Sequence, residues 1–445
     1  MRLRVAWIVF VGFLACSGGS SGGTADASAV AVDVATDAAS DAASDAASDA
    51  APDAAPEVAK WEGWKPGCEG EGTGAAWTVV HDETFARGPA VQLSDRDTVT
   101  ILWRTAVPSA EQGCVEYRVA GKTEKRCGAA DANGQYEVAL DDLPPGTEIP
   151  YTASVGASRT AEMTFRTMPD RPKRMKIAVF ADAHDREERL AKFSKVALAE
   201  GVDLAVGVGD LTGEGLPEQW DRFFRGIRDL AARVNVWTVI GNHDSKNTNG
   251  YMESVAMPHG NDTPGEERLA EGWWARRVGN VWLGGGWIRD FYLSMPDTEI
   301  GQIGWFRRQF QGDDFKTARW RLFFIHEPAY NVSWGGCEMN GESCLQRTLV
   351  PMMEQNGFQA SFHGHMHGIE WGPLAPGYTA FTVAPVGGDP PPGDCPVPEG
   401  FPQPWYSIYG NQAFAIVETG CDVMTVRFVD LDGKELGRVE VPAGG

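Results

Sequence analysis

Five short polar motifs contain the residue types that proteins use to bind transition metals. In chain order they are Asp182-Ala183-His184, Gly209-Asp210, Gly241-Asn242-His243-Asp244, His326 and Gly364-His365-Met366-His367. Imidazole nitrogens together with carboxylate and amide oxygens suit borderline metals such as zinc, manganese, iron or cobalt. No thiolate belongs to the set. The motifs therefore indicate a metal site, and their composition suits two adjacent cations.

Each motif directly follows an apolar run that we expect to be a strand. The runs are residues 175–180, 202–208, 236–240, 320–325 and 358–362. Helical patterns lie between them, one ending at Gly201 and a second starting near Pro217 and continuing to Leu230. Strands that alternate with helices form an α/β layered domain, in which ligands bind beyond the carboxyl ends of the strands. We therefore expect the five motifs to meet at one edge of the domain.

The order of the motifs resembles the calcineurin-like metallophosphoesterase family over about residues 174–430. This resemblance implies an α/β fold, a four-layer-type β-sandwich flanked by helices, with a dinuclear metal centre. The residues it assigns by position are Asp182, His184 and His367 for one metal, Asn242, His326 and His365 for the other, and Asp210 as the bridge. It further implies that His243 faces the leaving group and that Asp244 orients His243.

The implied reaction is hydrolysis of a phosphate ester by attack of a metal-bridging hydroxide. Two cations about 3.5–4 Å apart lower the pKa of a shared water and stabilise both ends of an in-line displacement. A protonated His243 donates to the departing oxygen. We expect a metal-dependent phosphoric ester hydrolase with two metal ions (Mn, Fe, Zn or Co), and the sequence leaves open which metal binds and whether the substrate is a monoester or a diester.

Two alternatives remain open. One is a phosphodiesterase that acts on cyclic nucleotides or phospholipid head groups. The other is a non-catalytic envelope lipoprotein that binds metal or phosphate. The intact pair of His243 and Asp244 favours an enzyme, because a binding protein needs ligands but no leaving-group acid.

Before the α/β pattern, the chain has short alternating segments with turn signals. These predicted strands are residues 98–105, 115–119, 136–140, 151–155 and 161–167. Their spacing predicts a β-sandwich. Trp103, Tyr117, the segment 143–151 and Phe165 give it a resemblance to a fibronectin type III domain, like the domain that precedes the catalytic domain in purple acid phosphatases.

The metal motifs nevertheless differ from those of purple acid phosphatases. That family has Asp-x-Gly where this chain has Asp182-Ala183-His184, and it has an iron-binding Tyr where this chain has Gly213. The resemblance therefore predicts a related sandwich with a different metal site. We expect neither a tyrosinate-to-iron colour nor an obligate ferric ion.

The N-terminus is typical of an export signal. Arg2 and Arg4 precede an apolar run, and Ala15-Cys16 resembles a bacterial lipobox, although Phe13 stands where that motif usually has Leu. We favour a signal peptide at 1–15 and lipidation of Cys16 over plain secretion, which places the protein at the bacterial cell envelope, in the periplasm or at the cell surface. Residues 17–59 carry eight acidic and no basic side chains, so we expect a disordered linker over 16–67.

Charge and composition limit the remaining possibilities. The 39 Lys and Arg residues against 61 Asp and Glu residues give a net charge of −22, which disfavours sequence-specific nucleic acid as a partner. We expect a fibronectin III-like domain at 68–169 and a metallophosphoesterase domain at 172–445, in an unknown oligomeric state. Cys114 and Cys127 flank a hairpin that a disulfide can join, Cys337 and Cys344 can close a loop, and Cys68, Cys395 and Cys421 leave one odd thiol.

Overall fold

The structure is a computed structural model that describes residues 75–92, 97–169, 174–260, 266, 269–293, 301–332, 341–391 and 396–443. The predicted signal peptide, the lipidation site Cys16, the linker and three of the cysteines (Cys68, Cys337 and Cys395) lie outside these residues. Within the described ranges, no helix has the length and apolarity that a membrane crossing requires.

The N-terminal part of the described chain is a β-sandwich, as the alternating segments predict. Its strands are β1 (Arg87–Gln92), β2 (Val99–Arg104), β3 (Gly113–Val119), β4 (Lys122–Gly128), β5 (Gln135–Leu140), β6 (Glu148–Val155), β7 (Ser158–Arg159) and β8 (Met163–Arg166). One sheet has the order β1-β2-β5 and the other the order β4-β3-β6-β7, with β8 paired to β6. The resemblance to fibronectin type III domains stays a prediction.

Two details of the sandwich bear on the predictions. The disulfide between Cys114 and Cys127 is present, and it joins directly paired residues of β3 and β4. Cys344 and Cys421 each take part in a disulfide bond. The sequence did not predict β1, because its Gly88-Pro89 dipeptide is a turn signal rather than a strand signal.

Two further sheets form the α/β domain. The strands of the first sheet, in spatial order, are β11 (Asn235–Val239), β10 (Leu204–Val208), β9 (Lys176–Phe180), β19 (Ala413–Thr419), β20 (Val423–Asp430) and β21 (Glu435–Pro442). Those of the second sheet are β12 (Trp274–Val278), β13 (Val281–Gly285), β14 (Trp320–Phe324), β15 (Ala360–His363), β17 (Tyr378–Thr382), β16 (Ile369–Ala375) and β18 (Tyr406–Ile408). The predicted α/β fold class, with a β-sandwich before it, is confirmed.

Helices accompany these sheets. The α-helices are α1 (Glu187–Glu200), α2 (Pro217–Gly226), α3 (Arg228–Ala231), α4 (Thr248–Met252), α5 (Ile288–Leu293), α6 (Gly301–Gln309), α7 (Asp313–Lys316), α8 (Ser343–Arg347) and α9 (Leu349–Gln355). Gly201 ends α1 in the left-handed conformation, as predicted. The apolar pattern from Trp220 to Leu230 is divided between α2 and α3, because Ile227 leaves helical geometry directly after Gly226.

A buried polar network fixes the sandwich to the α/β domain. Arg87 on β1 donates to Asp221 of α2 at 3.1 Å and to Gln135 of β5 at 2.8 Å, and Arg104 of β2 also binds Asp221. Tyr151 of β6 donates to the Ala232 carbonyl at 2.8 Å. Buried charges are tolerated only when they are paired and hydrogen-bonded, so this network specifies one arrangement of the two domains.

The strands that precede the motifs belong to two sheets. β9, β10 and β11 are parallel neighbours in the first sheet, and β14 and β15 are parallel neighbours in the second. A parallel bridge between Ala181 and Pro385 links the end of β9 to the segment that follows β17. The motif residues are therefore carried by the carboxyl ends of five strands, which is where the α/β fold places ligands.

Candidate metal centre

Three overlapping clusters of ligand atoms lie at these strand ends. The clusters are Asp182, His184 and His367; His184, Asp210 and His243; and Asp210, His326 and His365. Within each cluster the ligand atoms lie within 4.8 Å of one another. The first cluster contains the three residues predicted for one metal, and the third contains His326 and His365, two of the three predicted for the other, together with Asp210. We call Asp182, His184 and His367 the open half and Asn242, His326 and His365 the closed half. Asp210 shares a cluster with one histidine of the open half and with two of the closed half.

The open half draws its side chains from the loops that follow β9 and β15. His184 Nε2 and His367 Nε2 lie 3.3 Å apart, and His367 Nε2 lies 3.6 Å from Asp182 Oδ1. His367 Nδ1 donates to the backbone carbonyl of Asp389 at 2.9 Å, which turns Nε2 towards Asp182. A carbonyl that fixes the outer ring nitrogen in this way is the usual support of a histidine metal ligand.

The closed half is named for His326, its fully enclosed ligand. His326 is 0% exposed, and its Nδ1 donates to the Val208 carbonyl at 2.7 Å. Its Nε2 lies 3.2 Å from Asp210 Oδ2 without meeting hydrogen-bond geometry. Gly209 is required beside this ring, because a Cβ at that position would lie 2.5 Å from His326 Nδ1 and the backbone φ is +76°.

The backbone of the site is strained. Left-handed φ values occur at several non-glycine site residues, namely Asp182 (51°), His184 (43°), Asp185 (49°), Asp210 (52°), His365 (69°) and His367 (57°). Such conformations cost of order 1–3 kcal/mol each and persist where surrounding structure imposes them, often at functional sites. Sharp turns directly after the strands bring side chains of neighbouring strands together.

Two unsatisfied buried atoms fit metal ions. Asn242 Oδ1 is buried without a hydrogen-bond partner, and so is His326 Nε2. A buried amide oxygen without a partner costs about 1–3 kcal/mol, so it needs an explanation. A cation bound by both atoms supplies one, and the oxygen and nitrogen donors suit a borderline divalent metal.

The electrostatics of the metal-free site differ between the halves. Burial raises the pKa of Asp182 to about 6 against the opposing effect of His326, and burial lowers the pKa of His184 to about 4. Burial also lowers the pKa of His365 to about 3. Burial lowers the pKa of His326, but the carboxylates of Asp210, Asp182 and Glu327 together raise it well above its usual value. Burial raises the pKa of Asp210, but His326 and His243 hold it well below its usual range.

The structure corrects the expected role of Asp244. Its buried carboxylate accepts hydrogen bonds from the backbone N–H groups of Leu211 (3.3 Å), Thr212 (2.9 Å) and Gly241 (3.1 Å), rather than from His243. His243 Nδ1 instead donates to the Gly213 carbonyl at 2.7 Å. Asp244 therefore joins the two loops that carry Asp210 and Asn242, because a carboxylate accepts several backbone donors whereas the imidazole is already satisfied by a carbonyl.

Two residues beside the ligands, Arg189 and Lys246, were missed by the sequence analysis. Arg189 of α1 donates to the carbonyls of Gly387 and Gly388, which hold the loop that supplies the Asp389 carbonyl. Lys246 lies beside His243, with Nζ 3.2 Å from Nδ1. Only the helical phase of Lys246, three residues after His243, is a signal in the sequence. The contacts between α1 and the 385–389 loop leave no signal in the sequence, because nearly 200 residues separate the two segments.

Other aromatic and histidine residues near the motifs have structural roles. His363 is buried, and its ring lies 2.8 Å from Ser361 Oγ and 3.1 Å from the Ile325 carbonyl, as expected for a residue outside the ligand set. Trp405 is buried and donates to Glu370, and Trp371 stacks on Tyr406.

The described residues can now be compared with known protein families. Residues 175–368 match the family model described as calcineurin-like phosphoesterase. This match, together with the similarity described next, indicates a metal-dependent phosphoric ester hydrolase. The clusters of His and Asp residues agree with a dinuclear metal site.

Individual proteins are similar to this chain over a longer range than residues 175–368. A probable purple acid phosphatase 20 of Arabidopsis thaliana is 24% identical over 318 residues, which cover 66% of this chain and 71% of the relative. The structure of the purple acid phosphatase PPD1 from yellow lupin (Lupinus luteus) has a TM-score of 0.64 at 15% identity, covering 81% of this chain and 74% of that one. PhoD has a TM-score of 0.60 at 11% identity, covering 80% and 89%. The likeness to both solved structures shows the fold.

Proposed function

We propose that this protein hydrolyses phosphate esters at a dinuclear metal centre. The observation that carries the proposal is the overlap of the three ligand clusters, because His184 belongs to the first and second clusters and Asp210 to the second and third. When bound, two metal ions supply a nucleophilic hydroxide from water and stabilise charge on the phosphoryl oxygens. Asp182, His184 and His367 are the ligands we assign to one metal, and Asn242, His326 and His365 those we assign to the other.

Asp210 is suited to bridge the two halves. Its Oδ2 faces His326 at 3.2 Å, while its Oδ1 accepts from the backbone N–H of His243 at 2.7 Å. That hydrogen bond fixes the rotation of the carboxylate. An anion between two cations also reduces their mutual repulsion, which a neutral amide at this position does not do.

His243 is the leaving-group acid in this proposal. Its Nδ1–H donates to the Gly213 carbonyl, so the ring cannot rotate freely and Nε2 faces the site, 4.0 Å from Asp210 Oδ2. Protonated Nε2 can donate to the alkoxide or phenoxide oxygen as the ester bond breaks. The Gly213 carbonyl stabilises this protonated ring, because it accepts the other N–H.

The experiment combines metal analysis with turnover. We expect about two metal ions per purified chain and hydrolysis of p-nitrophenyl phosphate that a chelator abolishes. His243→Ala should retain both metals and lower the rate on the order of 10²–10⁴, as expected for loss of a general acid. The control is His81→Gln, which lies at an exposed site on the sandwich side and should leave the rate unchanged. His363→Gln does not serve as a control, because the His363 ring is buried.

The same assay separates the alternatives. Faster hydrolysis of bis-p-nitrophenyl phosphate than of p-nitrophenyl phosphate would favour a phosphodiesterase. A metal-loaded protein without turnover under added Mn, Fe, Zn or Co would favour a metal- or phosphate-binding lipoprotein. Gly213 leaves no phenolate at this position, so we propose that the iron-loaded protein has no strong visible absorption band.

Attachment to the bacterial cell envelope is a further part of the proposal. It rests on the sequence of residues 1–16 and on the acidic segment that follows them. The same proposal includes the ends of the signal peptide at residue 15, of the linker at residue 67 and of the fibronectin III-like domain at residue 169. Labelled fatty acid should be incorporated into the wild-type chain and not into Cys16→Ser, and the variant should leave the membrane fraction while retaining its phosphatase activity.

A further inference from the structure

The carboxylate of Asp185 supports the loop that holds the proposed leaving-group acid. His243 Nδ1 donates to the Gly213 carbonyl at 2.7 Å, and the N–H of the same glycine donates to Asp185 Oδ1 at 3.0 Å. Asp185 directly follows the proposed metal ligand His184, whose ring contacts that of His243 with the ring centroids 4.8 Å apart. A single turn of the chain therefore contacts the acid directly through His184 and indirectly through Asp185.

Arg222 of α2 holds the Asp185 carboxylate in place. Its Nε donates to Asp185 Oδ2 at 2.6 Å. Helix α2 is itself fixed, because Asp221, the residue before Arg222, is bound by Arg87 and Arg104 of the sandwich. Both oxygens of Asp185 therefore have a fixed donor, one from a helix and one from the glycine loop. Hydrogen bonds between charged groups are the stronger kind, so this pair can set the position of the loop.

The loop that carries Gly213 is bonded at each of its backbone N–H groups from 212 to 216. The acceptors are Asp244 Oδ1 for Thr212 (2.9 Å), Asp185 Oδ1 for Gly213 (3.0 Å), Gln219 Oε1 for Glu214 (2.7 Å) and Leu216 (3.1 Å), and Thr212 Oγ1 for Gly215 (2.9 Å). A loop bonded in this way keeps its carbonyls fixed. The partner of one imidazole nitrogen decides which nitrogen carries the proton, so a fixed Gly213 carbonyl also fixes the state of the His243 ring.

We infer that Asp185 and Arg222 are positioning residues for His243 and act through Gly213. They hold the Gly213 N–H and thereby fix the carbonyl that keeps a proton on Nδ1 and aims Nε2 at the leaving-group oxygen. The inference rests on the proposed phosphoesterase function. An alkoxide needs a proton to depart, whereas p-nitrophenolate departs more readily without one, so the pair matters most for esters with a basic leaving group.

A matched pair of esters tests this expectation. p-Nitrophenyl phosphate and p-nitrobenzyl phosphate differ by one methylene, and release of phosphate reports both. Arg222→Met should lower kcat for the benzyl ester about tenfold, a part of what a general acid contributes, with a smaller loss for the phenyl ester and little change in KM. Asp185→Asn should act in the same direction, because its amide can accept from Gly213 but loses the charge that pairs with Arg222.

The same helix offers a matched control. Arg225, one turn further along α2, pairs with Glu187 of α1 at 3.0 Å, and its side chain is 35% exposed against 39% for Arg222. Arg225→Met should keep the wild-type ratio of the two esters. An equal loss on both esters in Arg222→Met, or the same change of ratio in Arg225→Met, would overturn the inference and leave the phosphoesterase function standing.

A double-mutant cycle asks whether the pair acts through His243. Adding Arg222→Met to His243→Ala should cause no further loss of rate, because the ring that Arg222 positions is already absent. A merely structural role would lower the rate by the same factor in both backgrounds, and that result would contradict the inference.

A measurement without turnover separates the inference from the proposed function. In protein with ¹⁵N-labelled histidine and bound zinc, the nitrogen shifts of His243, assigned by their loss in His243→Ala, report which nitrogen carries the proton of the neutral ring. We expect Nδ1 in wild type and Arg225→Met, and a mixture of both tautomers in Arg222→Met. Identical tautomers in wild type and Arg222→Met would refute the positioning role. Absence of turnover by metal-loaded wild type would instead refute the phosphoesterase function, while the nitrogen shifts still decide whether the pair positions the ring.

Discussion

The two halves of the metal centre are built from similar ligands but differ in what supports them. In the closed half, His326 is 0% exposed and its ring is held by the carbonyl of Val208, the last residue of β10. In the open half, His367 is 19% exposed and its ring is held by Asp389, which follows no strand directly. A sheet fixes ligand geometry more firmly than a loop does, so we expect the two metals to differ in affinity and exchange rate.

The largest loss of metal and activity is expected for a substitution of Asp210, the proposed bridge between the two halves. Asp210→Asn removes the bridging charge, so both metals should bind weakly and the rate should fall by about 10³-fold or more, the scale of losing a major electrostatic contact. Elemental analysis and turnover of p-nitrophenyl phosphate measure this. Asp389→Asn is the matched control, because its side chain is 94% exposed and makes only a long 3.7 Å contact with Arg189, while the backbone carbonyl that supports His367 is kept. Retention of two metals by Asp210→Asn would contradict the bridging role.

Removing one histidine from each half tests the comparison directly. We expect both His326→Ala and His367→Ala to lose about one metal per chain. Free imidazole should restore metal and activity to His367→Ala, since that ring contacts solvent, but not to His326→Ala, whose site is closed. The measurement is metal content and rate with and without imidazole. Equal rescue of both variants would show that the halves do not differ in access.

Proton release on metal binding should also distinguish the halves. In the closed half, Asp210 raises the pKa of His326, so the incoming metal displaces a proton near neutral pH. In the open half, the pKa of Asp182 is about 6 and that of His184 about 4, so these two side chains release few protons when a metal binds above pH 6. Below pH 6, protonation of Asp182 should weaken the open-half metal by up to about tenfold per pH unit. Titration calorimetry in buffers of different ionisation enthalpy measures both effects.

The smallest effect concerns the support of the open half. Arg189→Met removes the donors that hold Gly387 and Gly388, and His367 loses the fixed position of the Asp389 carbonyl. We expect about tenfold weaker binding of one metal, as is usual for loss of an outer support, with the other metal unaffected. Competition with a chelator measures the affinities. Lys192→Met on the same helix is the control, and weakening of both metals by Arg189→Met would show a general loss of structure instead.

The sequence predicted the strand pattern and the ligand types because both are local. Apolar runs before each motif correspond to β9, β10, β11, β14 and β15, and the residues after them are those that converge. The strand β1 was not predictable, because its Gly88-Pro89 dipeptide is a turn signal. The break between α2 and α3 was not predictable either, because the apolar face of the pattern continues across it. The β19-β20-β21 arrangement was predicted only in part, as a closing hairpin around Asp432-Gly433.

By itself, the sequence determined which side chains can bind metal and at which strand ends they stand, since residue type and strand periodicity are written along the chain. The tertiary structure alone decided their partners: that Asp244 joins two loops, that Gly213 holds His243 and that Lys246 lies beside it. These contacts join backbone and side-chain atoms about 30 residues apart or across a helical turn. Their geometry depends on where the packed sheets place the loops, and no local pattern records it.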